Sequence, residues 1–437
     1  MDNRGDAVER ENAMHITLAY GRQGLPIELP DDAPVTVVEP LPLPGLPDEA
    51  AALRQALRQP TSTPPLVELV RPDDSVAVVF SDLTRPMPND RVLPVLLREL
   101  ELAGVGPERI VLLNGLGTHR PQTPEELRRM LGGAIVARYQ IVQHDAWDEA
   151  NLVPVGLNRA GRPVGINRAY VEASFRILTG FIEPHFFAGF SGGPKAVLPA
   201  IAGIDAILDN HGPEMVSSPG TTWAVTDGNP IWEEMRDIAL QSAPSFLLNV
   251  TLNQERRITG AFAGEMLAAH RQGTAFARQG AIRPVRGPFD LVITSNSGYP
   301  LDLNLYQAVK GMSAAAQIVR PGGDILLAAE CWDGIPDHGE YRRLLWEAGS
   351  PDELLERVMA PGFRCHDGWE AQIQAQVQQK ARVHVYAGGL SAEELRRAHL
   401  IPCTSVEESV AAVRRANPAA TIAVLPDGPQ TVPVLEP

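Results

Sequence analysis

Three groups able to do acid–base, covalent or metal chemistry sit close together in one stretch of this chain. Residues 179–211 read TGFIEPHFFAGFSGGPKAVLPAIAGIDAILDNH, with two imidazoles, His185 and His211, and one amine, Lys195. An imidazole titrates near neutral pH or ligates a metal through its lone pair. A lysine amine, unlike a guanidinium, can lose its proton and form a covalent bond. The distinction matters here, because only three of the 38 basic residues are lysines: Lys195, Lys310 and Lys380. Gly189, Gly192 and Gly193 lie between the first histidine and Lys195, and such a loop can turn its backbone amides toward an anion. It lacks the Gly-x4-Gly-Lys-Ser/Thr spacing of a P-loop.

Three further clusters carry chemistry. SDLTRPMP, residues 81–88, follows a short apolar run and puts Asp82, Thr84 and Arg85 just past a strand end, where ligands of α/β folds usually sit. NGLGTHR, residues 114–120, repeats the pattern with His119 at its tip. Taken singly, each fits a structural turn equally well; two such loops together point to a ligand rim. In LYQAVKGM, Tyr306 and Lys310 share a helix face with Gln307 beside them, and a lysine near a helix N-terminus attracts carboxylate or phosphate. Trp369 reads as a packing residue or a pocket wall. His119, His185 and His211 also read as a possible zinc set, and their spacing does not decide the metal.

The elements that must position these groups alternate between strand and helix. Strands are predicted at 75–80, 109–113, 138–144, 175–181, 244–252 and 257–262, with helices at 91–103, 124–131, from 231, and at 265–280. AIRPVRGP, residues 281–288, reads as a linker. A second α/β series follows: a strand at 290–294, a helix over 305–320 stopped by Pro321-Gly322-Gly323, and a strand from Asp324. Helices at 352–359, 366–380, 391–398 and 405–416 and strands at 382–386 and 421–425 complete it. The expected fold is α/β, with two domains, each a mainly parallel sheet flanked by helices, and the active site in the cleft between them. The expected boundaries are 1–280 for a cofactor-binding domain, 281–288 for the linker and 289–437 for the C-terminal domain. In the first 60 residues only an edge strand at 15–20 and a helix at 48–58 are legible.

Composition narrows the class. A net charge of -15 argues against a nucleic-acid partner. No long uncharged apolar run and no signal-peptide pattern are present, so neither a membrane partner nor export is expected. Cys331, Cys365 and Cys403 form no CxxC pair and fit buried or incidental thiols in a reducing, cytoplasmic setting.

In order along residues 81–312, the motifs SDLTRP, GTHR, EPHFFAGFSGGPK, Asn210-His211, DGNP and LYQAVKGM resemble the lactate racemase family, the nickel-dependent 2-hydroxyacid racemases and epimerases. The likeness extends more weakly to Trp369, and it departs from the family pattern at Ala200, where glycine is usual. The resemblance implies a nickel pincer nucleotide (pyridinium-3,5-bisthiocarboxylic acid mononucleotide nickel) held covalently by Lys195 through a thioamide. It makes His211 the protein ligand of Ni(II), and His119 and His185 the acid–base pair. Asp82, Thr84, Gly192 and Gly193 would bind the cofactor; Arg85, Tyr306, Gln307, Lys310 and Trp369 would bind substrate. The implied partners are a small 2-hydroxyacid and the proteins that make the cofactor.

The chemistry is consistent with that assignment. Inverting a 2-hydroxyacid breaks its Cα–H bond, and a carboxylate stabilises the resulting carbanion poorly. Moving the hydrogen as hydride to a pyridinium-like ring avoids the carbanion and passes through a 2-keto acid, the protein orienting substrate and moving protons. Two histidines suit the two faces of the substrate. A zinc-dependent hydrolase or lyase using the same histidines, and a non-enzymatic anion- or cofactor-binding protein, remain as alternatives. The sequence names neither the 2-hydroxyacid nor the oligomeric state.

Overall fold

The computed structural model describes residues 13–337 and 339–436. These fall into two compact units: Leu41–Ala281, and Ile282 onward combined with the described residues up to Pro40.

In the first unit, apolar runs without polar alternation become strands covered on both faces, as a parallel sheet requires. Val76, Ala77, Val78, Val79 and Phe80 are each at most 1% exposed. Six strands lie in the order Ile258–Gly264, Phe246–Leu252, Phe175–Phe181, Val76–Ser81, Ile110–Gly115, Gln140–Gln143. All neighbours are parallel except the first pair. The helix Asn89–Leu102 presents Leu93, Leu96, Leu97 and Leu100 to Val78 and Phe80 in one core, the i, i+3, i+4, i+7 stripe of a half-buried helix. The helix Pro124–Leu131 starts in a capping box of Thr123 and Glu126 with proline in its first turn.

The second unit holds a six-stranded, wholly parallel sheet ordered Ile401–Pro402, Arg382–Tyr386, Val319–Ala328, Phe289–Ser295, Ile422–Leu425, Val35–Val37. The antiparallel hairpin Ala13–Leu18/Leu25–Pro30 supplies Leu18, Ile27 and Leu29 to the core formed with Leu291, Ile293, Ile422 and Val424. The expected α/β fold with parallel sheets flanked by helices is therefore present.

The elements differ from expectation in three places. The described residues up to Pro40 belong with the C-terminal unit, because the three-residue strand Val35–Val37 pairs with Ile422–Leu425, a long-range choice that no local pattern carries. The expected linker holds a strand, Ile282–Val285, paired with Val432–Leu435. The helix expected to reach Arg320 ends at Ala316, and Pro321 and Gly322 lie inside the strand Val319–Ala328, at an irregularity where its register against Phe289–Ser295 shifts. Among the described residues, no helix is long and apolar enough to cross a membrane.

Candidate active site

The first sheet sends its candidate residues into loops beyond the carboxyl ends of its strands. The register of the first sheet pairs Ser81 with Gly115, so the 82–88 and 116–120 loops leave side by side. That register delivers His119 to Asp82, with Nδ1 and Oδ2 2.5 Å apart. The second carboxylate oxygen accepts from the Thr84 amide at 2.7 Å and its hydroxyl at 2.6 Å. Asp82 is 3% exposed. Burial by itself would raise its pKa, but the His119 imidazole, the Arg85 guanidinium and the Thr84 hydroxyl outweigh it and hold the carboxyl well below the usual range. A carboxylate at Nδ1 places a proton there and leaves His119 Nε2 as the basic nitrogen. Asp82 is thus bonded to His119 through one carboxylate oxygen and to Thr84 through the other.

The strand Phe175–Phe181 leads into a two-residue hairpin in which His185 opposes Gly189. Gly189 has φ +72, and a Cβ there would stand 2.0 Å from the Val225 carbonyl oxygen, so only glycine fits. The His185 Nδ1 accepts from the Ala188 amide at 3.2 Å, which puts any proton of that ring on Nε2. The two imidazoles therefore carry opposite tautomers, His119 with a basic Nε2 and His185 with a donating one.

Phe187 is the hub of this unit's candidate residues. Its ring lies edge-on to His185 with centroids 4.5 Å apart, edge-on to His211 at 5.1 Å, and 5.5 Å from Lys195 Nζ. Lys195 sits on the short helical turn Gly193–Ala196 and His211 at the end of the helix Ile204–Asn210. Burial, then the nearby Lys195 charge, pushes the His211 pKa down to about 3 against a weaker opposing hydrogen bond to the Ile207 carbonyl. His211 is consequently neutral at physiological pH, the form that ligates a metal. The Gly117 amide donates to the Ala200 carbonyl at 2.9 Å, tying the His119 loop to the segment that follows Lys195.

The two glycines before Lys195 are demanded by packing. Gly192 and Gly193 have φ of +75 and +52, and a Cβ on Gly193 would meet the His270 ring at 2.6 Å. The Gly193 amide donates to Asn249 Oδ1 at 2.8 Å, and His270 Nε2 lies 3.0 Å from the Ser191 carbonyl oxygen. Asn249 and His270 were missed in the sequence. The available signal was a single asparagine inside the run FLLNVTL, Phe246–Leu252, and a histidine on the buried face of Met266–Ala281. The DGNP motif finds its reason here too. Asn229 caps the helix Pro230–Gln241 and donates from Nδ2 to the Phe187 carbonyl at 2.8 Å. Asn210, beside His211, anchors to Glu234 Oε2 at 2.8 Å.

In the C-terminal unit, Asn304 caps the helix Leu305–Ala316 through the Gln307 amide. Lys310 Nζ donates to Gln307 Oε1 at 2.8 Å, and Trp369 Nε1 donates to the Tyr306 hydroxyl at 3.1 Å. Tyr306, Gln307, Lys310 and Trp369 are thus joined in two linked pairs. Among the described residues, no three His, Cys, Asp or Glu side chains form a metal-holding group, so the three histidines do not make the zinc set that their spacing had left open.

The likeness to known proteins spans nearly the whole chain. Residues 20–224 match the lactate racemase N-terminal domain and residues 286–433 the lactate racemase C-terminal domain. The lactate racemase of Thermoanaerobacterium thermosaccharolyticum is 34% identical over 95% of this chain and 98% of its own. That of Lactiplantibacillus plantarum is 36% identical over 87% and 90% respectively. The structure of the T. thermosaccharolyticum lactate racemase apoprotein superposes with a TM-score of 0.89 at 32% identity, covering 97% of this chain and all of that one. An α/β protein with relatives of this identity and coverage is an isomerase of the racemase class. The chain belongs to the lactate racemase family.

Proposed function

We propose that this enzyme interconverts the enantiomers of a short 2-hydroxyacid, lactate being the substrate its relatives are named for, with a nickel pincer nucleotide tethered to Lys195. The observation that carries the reading is the gathering of Lys195, His185 and a neutral His211 around the Phe187 ring. The residues suit such a group. His211 offers a single neutral imidazole, so the remaining donors to a metal would come from the ligand itself, as a pincer provides. Lys195 offers an amine for the covalent link. When bound, the nucleotide supplies a pyridinium-type ring that accepts and returns the substrate hydrogen as hydride.

The chain's own residues handle protons and orientation. The His119 Nε2, made basic by Asp82 at Nδ1, takes the hydroxyl proton of one enantiomer as its Cα–H bond breaks. His185, the second acid–base candidate, returns a proton to the 2-keto oxygen when the other enantiomer forms; it does so as the imidazolium, left neutral afterwards, since loss of a lone Nε2 proton would leave an imidazolate. Which histidine serves which enantiomer is set by how the carboxylate is held, and Arg85, on the loop that carries Asp82, is this unit's cation assigned to it. Gln307, already bonded to Lys310 Nζ, fixes the direction of that ammonium. The glycine pair and Asn249 hold the backbone from which Lys195 reaches the cofactor.

Intact-mass measurement on cofactor-loaded protein tests the tether. Wild type is expected to carry the added mass and Lys195→Ala to lack it, and added mass surviving the substitution refutes the role. Chiral analysis of L-lactate incubated with loaded protein tests the reaction; no D-lactate would refute it.

A further inference from the structure

The C-terminal unit contains a cavity of about 600 Å³ that the proposed reaction does not use; Tyr306, Gln307, Lys310 and Trp369 are not among its walls. The volume lies within the range of roughly 300–1,000 Å³ usual for small-molecule sites. The strands Phe289–Ser295 and Val319–Ala328 are parallel neighbours, with Ser295 paired to Ala328. The loops after them therefore leave side by side at the carboxyl edge of the sheet, where ligands of parallel sheets bind. One loop contributes Tyr299 to the cavity and the other Glu330 and Trp332; the turn of the hairpin Ala13–Leu18/Leu25–Pro30 contributes Gly21 and Arg22. Asp302, buried, joins these parts: its Oδ2 accepts from the Gly21 amide at 2.7 Å and from the Glu330 amide at 3.0 Å. The Tyr299 amide donates to the Gly21 carbonyl at 2.8 Å. The walls are thus held in place before any ligand arrives.

The chemistry of the walls specifies the ligand. Tyr299 and Trp332 are 41% and 52% exposed, with ring centroids 6.4 Å apart, and form one open aromatic face. The Arg22 guanidinium carbon stands 3.4 Å from the centre of the Tyr299 ring, a stacked pose that keeps the in-plane N–H donors available to a carboxylate. The Glu330 carboxylate lies against the bare α-carbon of Gly21, where a Cβ would stand 2.6 Å from Oε2. Among the described residues, the two charges form no ion pair with each other. One cation, one anion and an aromatic face around one cavity are complementary to a molecule that carries both charges and an apolar body. We propose that this cavity binds an α-amino acid zwitterion with a large apolar side chain: its carboxylate on Arg22, its ammonium on Glu330, its side chain on the Tyr299–Trp332 face. A 2-hydroxyacid has no ammonium and leaves Glu330 without a partner, which distinguishes this site from the proposed substrate site.

Titration of the full chain labelled with 15N-tryptophan tests the proposal, the Trp332 indole resonance being assigned by its loss in Trp332→Phe. The probes are L-phenylalanine, hydrocinnamate, which lacks the ammonium, and phenethylamine, which lacks the carboxylate. L-Phenylalanine is expected to move the Trp332 resonance with a Kd at or below about 1 mM, and each analogue to bind at least about tenfold more weakly. Arg22→Ala is expected to weaken L-phenylalanine about tenfold and leave phenethylamine unchanged. Glu330→Gln is expected to weaken L-phenylalanine about tenfold and leave hydrocinnamate unchanged. Arg22 is exposed, and Arg22→Ala is expected to unfold at the wild-type midpoint, so its loss reports binding rather than folding. Lys310→Ala is expected to leave the L-phenylalanine titration as in wild type, which separates this cavity from the substrate-binding face. A Trp332 resonance unmoved by about 20 mM L-phenylalanine overturns the proposal. So do analogues that bind as tightly as L-phenylalanine, or a titration lost in Lys310→Ala.

Discussion

At the scale of single residues, the Asp82–His119 pair decides which imidazole nitrogen is basic. Asparagine in place of Asp82 keeps the volume but offers an amide N–H to Nδ1, which favours the tautomer with its proton on Nε2 and removes the base. Asp82→Asn is therefore expected to lower kcat by roughly 100-fold with little change in KM, measured as initial racemisation rates from each enantiomer. Equal loss in both directions is required by the overall equilibrium at saturation-independent kcat/KM, so the informative comparison is kcat against KM. The types of these residues were legible from sequence: an aspartate after one strand and a histidine after the next. Their 2.5 Å contact was not, because it depends on the Ser81–Gly115 register between strands whose pairing is non-local.

At the scale of elements, the turn bearing Lys195 is held from beneath by Asn249 and His270. Replacing Asn249 with alanine strands the buried Gly193 amide, at a cost of about 1–3 kcal/mol. Thermal unfolding of Asn249→Ala is expected to show that loss, and intact mass after cofactor loading is expected to show a reduced tethered fraction at Lys195. Gly193→Ala combines a positive φ of +52 with a Cβ 2.6 Å from the His270 ring, so its unfolding midpoint is expected to fall further. A Gly193→Ala as stable as wild type would show that the turn can relax. The glycine run was visible in the sequence as a backbone that must come close to something. Tertiary structure shows that the close neighbour includes the protein's own asparagine and histidine, which are distant along the chain and lie in segments that read as ordinary core.

At the scale of the whole molecule, acid sensitivity begins above the carboxylate range. Burial pushes the His270 pKa from 6.5 down to about 4, a hydrogen bond to the Ser191 carbonyl opposing it in part. The unfolded chain therefore binds this proton first. The stability it confers is complete above about pH 6.5 and is lost as pH falls toward 4, at roughly 1.4 kcal/mol per unit. Unfolding free energies measured between pH 7 and 4.5 are expected to slope downward over that window, and His270→Gln is expected to make the slope shallower, the remainder coming from His211, which burial also depresses. The unit boundaries make a second forecast. Leu18, Ile27 and Leu29 cover Leu291, Ile293, Ile422 and Val424, so a fragment spanning 282–437 alone is expected to aggregate, whereas 41–281 retains a complete six-stranded sheet; a monomeric, cooperatively unfolding 282–437 would contradict this. The sequence alone determined the α/β class, most element positions and the chemical types gathered on the strand-end loops, because hydrophobic period, glycine placement and a rare lysine are local signals. Only the tertiary structure decided that the described residues up to Pro40 complete the C-terminal unit, that Phe187 gathers Lys195, His185 and His211, and that Asp82 bonds to His119, because each depends on strand order and register, which pair residues far apart in the chain.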